Sequence, residues 1–273
     1  MPSSAKTKGP RPPAPAVNYK LTVAYDGTDY RGWQRQPSGR TIQGELEKVV
    51  ERLAGGRVAV HGAGRTDAGV HAASQVASFA AALRLDDEAL QRALNALLPR
   101  TIRVLSVERA TPGFHARKSA RSKVYRYRIA LGRLVSPFDL RFVHHHPRPL
   151  NVARMRRAAR LFVREADFSA FASNRERNPV RRVIRSELRR TGTELVYTIE
   201  AAGFLRYMVR TIVGTLIEVG RGKLGVDDVE RLFREPRRTL SSPTAPAQGL
   251  CLIRVDYGPN LKSMARASSR GLV

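Results

Sequence analysis

The chain has 273 residues, of which 42% are hydrophobic, so it is long enough to bury a core and too apolar for a disordered protein. Its 49 Lys and Arg residues outnumber 23 Asp and Glu residues, and the net charge of +26 favours nucleic acid as a partner over an acidic membrane surface or an acidic protein. The single cysteine, Cys251, excludes an internal disulfide and indicates a reducing, cytoplasmic compartment.

The two ends of the chain differ in composition from its middle. Residues 1–17 are rich in Pro, Ala and Lys and lack an apolar stretch, so they predict a disordered arm and not a secretory signal peptide. Residues 259–273 are polar and basic and predict a disordered tail. The most apolar run, residues 209–219, contains Arg210 and Glu218 and is too short to span a bilayer.

Residues 18–115 form the predicted N-terminal half, with the element order β-α-β-β-α-β. Apolar side chains alternate from Tyr19 to Tyr25, as they do in a half-buried strand. Thr41 is suited to cap a helix whose apolar side chains, as far as Leu53, recur on one face. The remaining predicted elements are strands near residues 58–61, 75–79 and 102–109, and a helix over residues 90–97.

Residues 116–258 repeat this order in the predicted C-terminal half. The predicted elements are a strand through residues 125–129, a helix over 152–162, strands near 180–190 and 194–201, helices over 204–219 and 226–233, and a last strand over 250–257. The expected fold class is therefore α+β, with two tandem ferredoxin-like units. Ligands often lie between such halves, so the junction is the first place to expect a binding site.

A carboxylate framed by glycines stands out in residues 61–71. Glycine permits positive φ and close approach of the backbone, which predicts a tight loop that presents Asp67. Arg65, two residues earlier, is expected to lower the pKa of Asp67 and keep it ionised, as a nucleophile requires. The alternative is a turn in which Asp67 only binds its own backbone.

A metal site is a weaker interpretation of the histidines near this loop. His61, Asp67 and His71 are close in sequence, but their spacing matches no common zinc pattern. The three histidines at positions 144–146 would alternate across a strand, which does not make a chelating set. They are expected at a solvated or RNA-facing edge, and no metal is expected.

Basic and aromatic side chains alternate in residues 121–128. On a strand, Lys123, Tyr125 and Tyr127 share one face with Arg121. Such a face suits RNA, because rings stack on bases and cations contact phosphates. The alternative is a half-buried strand with at least one tyrosine in the core, and the pattern does not say which.

Two arginines, Arg206 and Arg210, lie one turn apart in the apolar helix predicted over residues 204–219. A buried guanidinium without a carboxylate is strongly unfavourable, so Arg210 requires an acidic partner. The sequence leaves Glu200 and Asp67 as candidates. It also allows Arg210 to lie on a solvated face.

Taken together, these segments resemble the TruA family of tRNA pseudouridine synthases, and they occur in family order over residues 19–257. The segments that carry the resemblance are YDGTDYRGWQ (25–34), TIQGE (41–45), GRTDAGVH (64–71), KVYRY (123–127), DFSAF (167–171), GFLRYMVR (203–210) and TAPAQGL (244–250). The loop with Asp67 is the most specific of them. The chain departs from the usual pattern at Arg164, Ala166 and Ala247, all outside the catalytic segments.

The resemblance implies an isomerase that converts uridine to pseudouridine at positions 38–40 of tRNA, in the anticodon arm. It implies a homodimer that needs no cofactor and has a basic cleft between the two halves of the chain. Asp67 would be the catalytic nucleophile. Tyr125 would stack on the target base and help to deprotonate C5, Arg210 would pair with Asp67, and Arg65 would help to extrude the base. The other expected RNA-binding residues are Arg31, Lys123 and Arg206.

Two other functions remain as alternatives. A non-catalytic basic RNA-binding protein would use the charge alone and would not need Asp67. A metal-dependent nuclease would cleave RNA and would be stopped by a chelator. The sequence also leaves three chemical routes open for a synthase: attack at C1′, addition at uracil C6, and abstraction of a sugar proton.

Overall fold

The structure is a computed structural model that describes residues 15–173, 177–236 and 243–258. The predicted tail and residues 1–14 of the predicted arm lie outside the described residues. Six elements form the first half in the predicted order: β1 (Val17–Tyr25), α1 (Ile42–Ala54), β2 (His61–Gly62), β3 (His71–Ala81), α2 (Asp87–Leu97) and β4 (Ile102–Arg109). The arm was predicted to reach residue 17, but β1 begins there because Val17 pairs with Ala81 of β3.

The second half contains the predicted elements and two short strands that were not part of the predicted element order. Its elements are β5 (Ser122–Leu131), β6 (His144–His146), α3 (Val152–Arg160), β7 (Glu165–Asp167), β8 (Val180–Thr191), β9 (Glu194–Ala201), α4 (Met208–Gly220), α5 (Val226–Arg234) and β10 (Leu250–Asp256). These strands, β6 and β7, have three residues each, too few for a periodic pattern.

All ten strands belong to one sheet, ordered β4-β1-β3-β10-β5-β9-β8-β7, with β2 on β3 and β6 on β5. When the short strands β6 and β7 are left out, each half has four strands. The first strand then lies between the third and the fourth, and the second pairs with the third, as in a ferredoxin-like unit. The predicted α+β class with two such units is confirmed.

The two halves join where β10 pairs in parallel with the start of β3, at Cys251 with His71 and Leu252 with Ala72. Since β1 runs along one edge of β3, β10 and β2 must share the other edge. The two-residue length of β2 leaves that edge open for β10.

Helix capping and alternating burial explain the first half. The Thr41 hydroxyl accepts a hydrogen bond from the Gly44 backbone N–H, and Gly55 ends α1 with a φ of 69°. Tyr19, Leu21 and Val23 of β1 are fully buried, and the residues between them are half-exposed. No helix among the described residues is long and apolar enough to cross a membrane.

The start of α4 differs from the prediction of a helix from residue 204. The helix begins at Met208, because Tyr207 adopts the left-handed conformation with φ 63° and ψ 2°. A bond from the Met208 N–H to the Leu205 carbonyl closes a tight turn before the helix. Arg206 therefore lies in the turn, whereas Arg210 lies in the first helical turn.

Candidate active site

The loop between β2 and β3 presents Asp67, and three hydrogen bonds hold the loop residues just before Asp67 in place. The Trp33 N–H donates to the Thr66 carbonyl at 3.0 Å, and the Gln75 amide donates to the Gly64 carbonyl at 2.9 Å. The hydroxyls of Tyr25 and Thr66 are 2.9 Å apart in a buried hydrogen bond. Because these groups are buried, the loop backbone is held rigidly beneath the carboxylate.

Gly27 permits the close approach of a second segment to this loop. A Cβ at position 27 would collide with the backbone carbonyl of Val70. The Gly27 N–H donates to Nδ1 of His71 at 3.1 Å, which fastens the far end of the loop. The sequence predicted a glycine-framed loop, and the structure adds a glycine outside it.

Arg210 binds Asp67 across the junction of the two halves. Its Nη1 donates to Asp67 Oδ2 at 3.2 Å, and its Nε donates to the Ala245 carbonyl at 2.8 Å. The Arg210 side chain is 15% exposed and that of Asp67 is 22% exposed. Of the two acids that the sequence left open, Asp67 is therefore the partner, and Glu200 accepts from the Ser122 hydroxyl instead.

The electrostatics of Asp67 correct the expectation for Arg65. Burial raises the pKa of Asp67 above its ordinary value, and the positive charges of Arg210 and Arg206 offset only part of this effect. Arg65 does not act as the neighbouring cation, because its exposed side chain donates to Gln34 Oε1 at 2.9 Å. The cations that favour the ionised form come from the other half of the chain.

The tyrosines of β5 have different surroundings. Tyr127 is 0% exposed, and its hydroxyl donates to the Pro246 carbonyl at 2.8 Å, so it belongs to the core. Tyr125 is 6% exposed and contacts Phe204 edge to face, with ring centroids 5.1 Å apart. Burial, with smaller contributions from Tyr25 and Asp67, raises the pKa of Tyr125, which is therefore a neutral phenol.

A cavity of about 900 Å³ lies between the halves and contains these groups. This volume falls within the range typical of ligand-binding pockets. Asp67 is the single carboxylate among its described lining residues. The lining cations are Arg31, Arg65, Arg117, Lys123, Arg181, Arg206 and Arg210. The predicted catalytic, substrate-binding and RNA-binding residues thus all line one basic cleft.

The histidines lie apart from Asp67. His71 has its Nδ1 3.2 Å from Asp26 Oδ1, and His61 stacks on His115 with ring centroids 4.9 Å apart. His144 and His146 stack on one side of β6, and all three residues of the run are half-buried and outside the cleft lining. Within the described ranges, no cluster of three His, Cys, Asp or Glu side chains could hold a metal ion.

The cleft lining that was not selected from the sequence includes two cations, Arg117 and Arg181, and two aromatic side chains, Phe204 and Tyr207. Phe204 and Tyr207 lie in the GFLRYMVR segment, but the predicted helix began at residue 204. In the structure both residues precede the helix, and this places their side chains at the cleft. Arg117 and Arg181 lie in segments with many other arginines. No sequence signal separates them from their neighbours.

Comparisons with known proteins point to one family. A family model described as tRNA pseudouridine synthase matches residues 21–117 and 158–258, which include Asp67 and Arg210 but not Tyr125. The chain is similar to the tRNA pseudouridine synthase A of Solibacter usitatus, with 46% identity over 243 residues, covering 87% of this chain and 98% of that protein. The protein of the same name from Thermodesulfovibrio yellowstonii is 39% identical over 253 residues, covering 88% and 100%.

Proposed function

Since the chain belongs to the tRNA pseudouridine synthase family and is an isomerase that converts uridine in tRNA to pseudouridine, we propose where it acts and with which residue. The proposed uridines are those at positions 38–40 of the anticodon arm, and the proposed nucleophile is Asp67. One observation carries the role of Asp67. It is the only carboxylate among the described residues that line the cleft, and Arg210 binds it directly.

The reaction breaks the N1–C1′ bond of uridine and forms a C5–C1′ bond. C5 loses a proton, N1 gains one, and no atom is gained or lost overall. An ionised Asp67 could attack C1′, add to C6 or remove a sugar proton, and each route requires the carboxylate close to an extruded base. The Arg210 guanidinium supports this role, because it stabilises the ionised carboxylate and orients one of its oxygens.

Tyr125 is the proposed partner of the uracil ring. It lies against Phe204 at the wall of the cleft, where a base could stack on it. As a neutral phenol it can donate a hydrogen bond to uracil. A role in C5 deprotonation requires that its own proton is transferred first, because burial disfavours the phenolate.

The remaining cations of the cleft are proposed to bind the RNA backbone. Arg31, Arg65 and Arg206 are exposed at the cleft, and Lys123 is buried in its wall. Burial lowers the pKa of Lys123, and a phosphate would restore a counter-charge to its ammonium group. Such contacts supply binding energy that offsets the few kcal/mol needed to unstack a base.

We also propose that the protein acts as a homodimer in the cytoplasm. The dimer rests on the resemblance to the TruA family. The compartment is supported by the single cysteine, Cys251, which has no partner for an internal disulfide. Light scattering of the purified protein, with and without tRNA, tests the dimer.

Tritium release tests the proposed function. Transcribed tRNA carrying tritium at uridine C5 loses it to water when the C5–C1′ bond forms. The wild-type protein is compared with Asp67→Asn and with Asp227→Asn, a matched change at an exposed residue in the first turn of α5. A second tRNA carries cytidine at positions 38–40, with base pairing restored, and all reactions contain a chelator.

We expect release by the wild type and Asp227→Asn, none by Asp67→Asn, and none from the cytidine-substituted tRNA. Undiminished release from the substituted tRNA would overturn the assignment to positions 38–40. Binding of several tRNAs without release from any would instead favour the non-catalytic RNA-binding function. RNA cleavage that occurs in parallel reactions without chelator, and is absent from those with chelator, would favour a nuclease.

A further inference from the structure

Tyr207 has a backbone conformation that its side chain does not favour. Among the described residues it is the only non-glycine residue with positive φ. It occupies the third position of the turn that the Met208 N–H closes onto the Leu205 carbonyl, with φ 63° and ψ 2°. That position of a type II turn normally takes Gly or Asn, because other side chains are strained there.

The ring of Tyr207 contacts two arginines of the cleft. The Cζ atom of Arg210 lies 4.9 Å from the ring centroid, and that of Arg206 lies 5.1 Å from it. Both distances are within the range of cation–π attraction. The left-handed turn allows one ring to contact both arginines, because Arg206 lies in the turn before the helix and Arg210 lies inside the helix.

Arg210 is consequently held at three points. Its Nε is bound to the Ala245 carbonyl, its Nη1 to Asp67, and its guanidinium lies against the Tyr207 ring. Arg206 has no carboxylate partner among the described residues, and it adds a second positive charge near Asp67. Two like charges so close together repel each other, and an electron-rich ring beside both reduces that cost.

We propose that Tyr207 is a positioning residue whose ring holds the guanidinium groups of Arg206 and Arg210 at Asp67. The inference rests on the proposed function of Asp67 as nucleophile and extends it. A Gly or Asn would satisfy the turn without strain but would not supply a ring. The role of the ring in the cleft thus explains why a strained tyrosine stands at this position. Strained residues often occur at functional sites for such a reason.

Two other roles for Tyr207 make different predictions. A purely structural residue would lose stability and activity together when replaced. A stacking platform for a neighbouring RNA base would change tRNA affinity and leave the titration of Asp67 unaltered. The charged and titratable groups that act on Asp67 are Arg206 and Arg210 from the α4 segment and Tyr125 from β5. Lys123 of β5 lines the same cleft, and Arg65 on the loop of Asp67 binds Gln34 instead.

The test compares Tyr207→Phe, Tyr207→Asn and Tyr207→Leu by thermal unfolding, by the pH profile of single-turnover tritium release, and by titration of the Asp67 carboxyl. The titration uses protein with carbon-13 in the aspartate carboxyls, and Asp67→Asn assigns the signal. The titration of Asp67 does not require an active enzyme. If the proposed function fails, the wild type releases no tritium, whereas a failure of the Tyr207 proposal is seen as an unchanged Asp67 titration.

We expect Tyr207→Phe to retain most of the rate, because it keeps the ring. Tyr207→Asn should unfold at the same or a higher temperature and yet react roughly 5- to 30-fold more slowly. Its Asp67 signal should titrate at higher pH than in the wild type. Tyr207→Leu keeps the strain without the ring and should lose both rate and thermal stability.

Three results would overturn the proposal. One is an unchanged rate and Asp67 titration in Tyr207→Asn. Another is a fall in the unfolding temperature of Tyr207→Asn in step with its rate, which indicates a structural role. The third is weaker tRNA binding with an unmoved Asp67 titration, which indicates base stacking.

Discussion

Arg210 Nη1 lies 3.2 Å from Asp67 Oδ2, although 143 residues of chain separate the two. The carboxylate is on a loop between β2 and β3 of the first half, and the guanidinium is in the first turn of α4 in the second. Neither half alone therefore contains both members of the Asp67–Arg210 ion pair. The ionisation of Asp67 depends on how the two halves meet.

The pH dependence of the reaction should reflect the raised pKa of Asp67. Burial favours the protonated, inactive form, so the rate should fall as pH decreases, at a pH above the ordinary aspartate value of 3.8. Replacing Arg210 by Met removes the largest opposing effect and should move this fall to still higher pH. Single-turnover rates measured across pH check both shifts, and an acid limb at or below the ordinary aspartate pKa would contradict them.

Removing Arg210 should also destabilise the fold. Arg210→Met leaves a largely buried Asp67 charge without its cation and the Ala245 carbonyl without a donor. We expect a loss of about 1–3 kcal/mol in the free energy of unfolding, measured by denaturant titration. The double variant with Asp67→Asn should lose less than the sum of the single changes, whereas strict additivity would mean that the pair is not coupled.

The buried bond between Tyr25 and Thr66 should matter for both stability and catalysis. Thr66→Val keeps the shape but removes the hydroxyl, so the buried Tyr25 phenol loses its hydrogen bond to Thr66. We expect the free energy of unfolding to fall by about 1–3 kcal/mol and the rate to fall with it, because the loop loses its support. Thr66→Ser retains the hydroxyl and serves as the control. Equal losses in the two variants would argue against the hydrogen bond as the cause.

Gly27 should tolerate no side chain. A Cβ in Gly27→Ala meets the Val70 carbonyl, so the loop with Asp67 must shift or the fold must loosen. Gly56→Ala, where a Cβ has nothing within 4 Å, is the matched control. Unfolding temperatures and tritium release should decrease for Gly27→Ala only. A wild-type result for Gly27→Ala would show that the two segments separate freely.

Binding of tRNA should weaken steeply with salt, and the slope should reveal which cations contact phosphates. Lys123→Met and Arg206→Met should each reduce the slope of log affinity against log salt by about 1. Arg92→Met, at an exposed position on α2 outside the cleft lining, should leave the slope unchanged. Filter binding at several salt concentrations measures the three slopes. An unaltered slope in Lys123→Met would remove that ammonium from the RNA contact surface.

Periodicity predicted the long elements because each buries one regular face. The alternation of Tyr19 to Tyr25 and the cap at Thr41 gave β1 and α1 to within a few residues. The start of α4 was missed, because the apolar spacing continues through a turn that only the left-handed Tyr207 creates. The spacing of apolar residues gives little information about a single residue with an unfavourable φ, such as Tyr207.

The sequence predicted which residues meet in the cleft, but not the electrostatics of Asp67. The segments that resemble the TruA family named Asp67 and Arg210. Proximity in sequence suggested that Arg65 is the cation beside Asp67, yet Arg65 faces solvent and binds Gln34. Burial, which outweighs the nearby cations and raises the pKa of Asp67, depends on packing between the halves. No local pattern reports that packing.

The position of β10 sets the order in which the cleft can form. This strand lies between β3 and β5, yet it follows every other strand along the chain. The carbonyls of Ala245 and Pro246, just before it, bind Arg210 and Tyr127. A nascent chain that ends before residue 245 thus carries Asp67 and Arg210 without the strand and the carbonyl that bring them together. The cleft between the halves is therefore complete only after β10 has been synthesised.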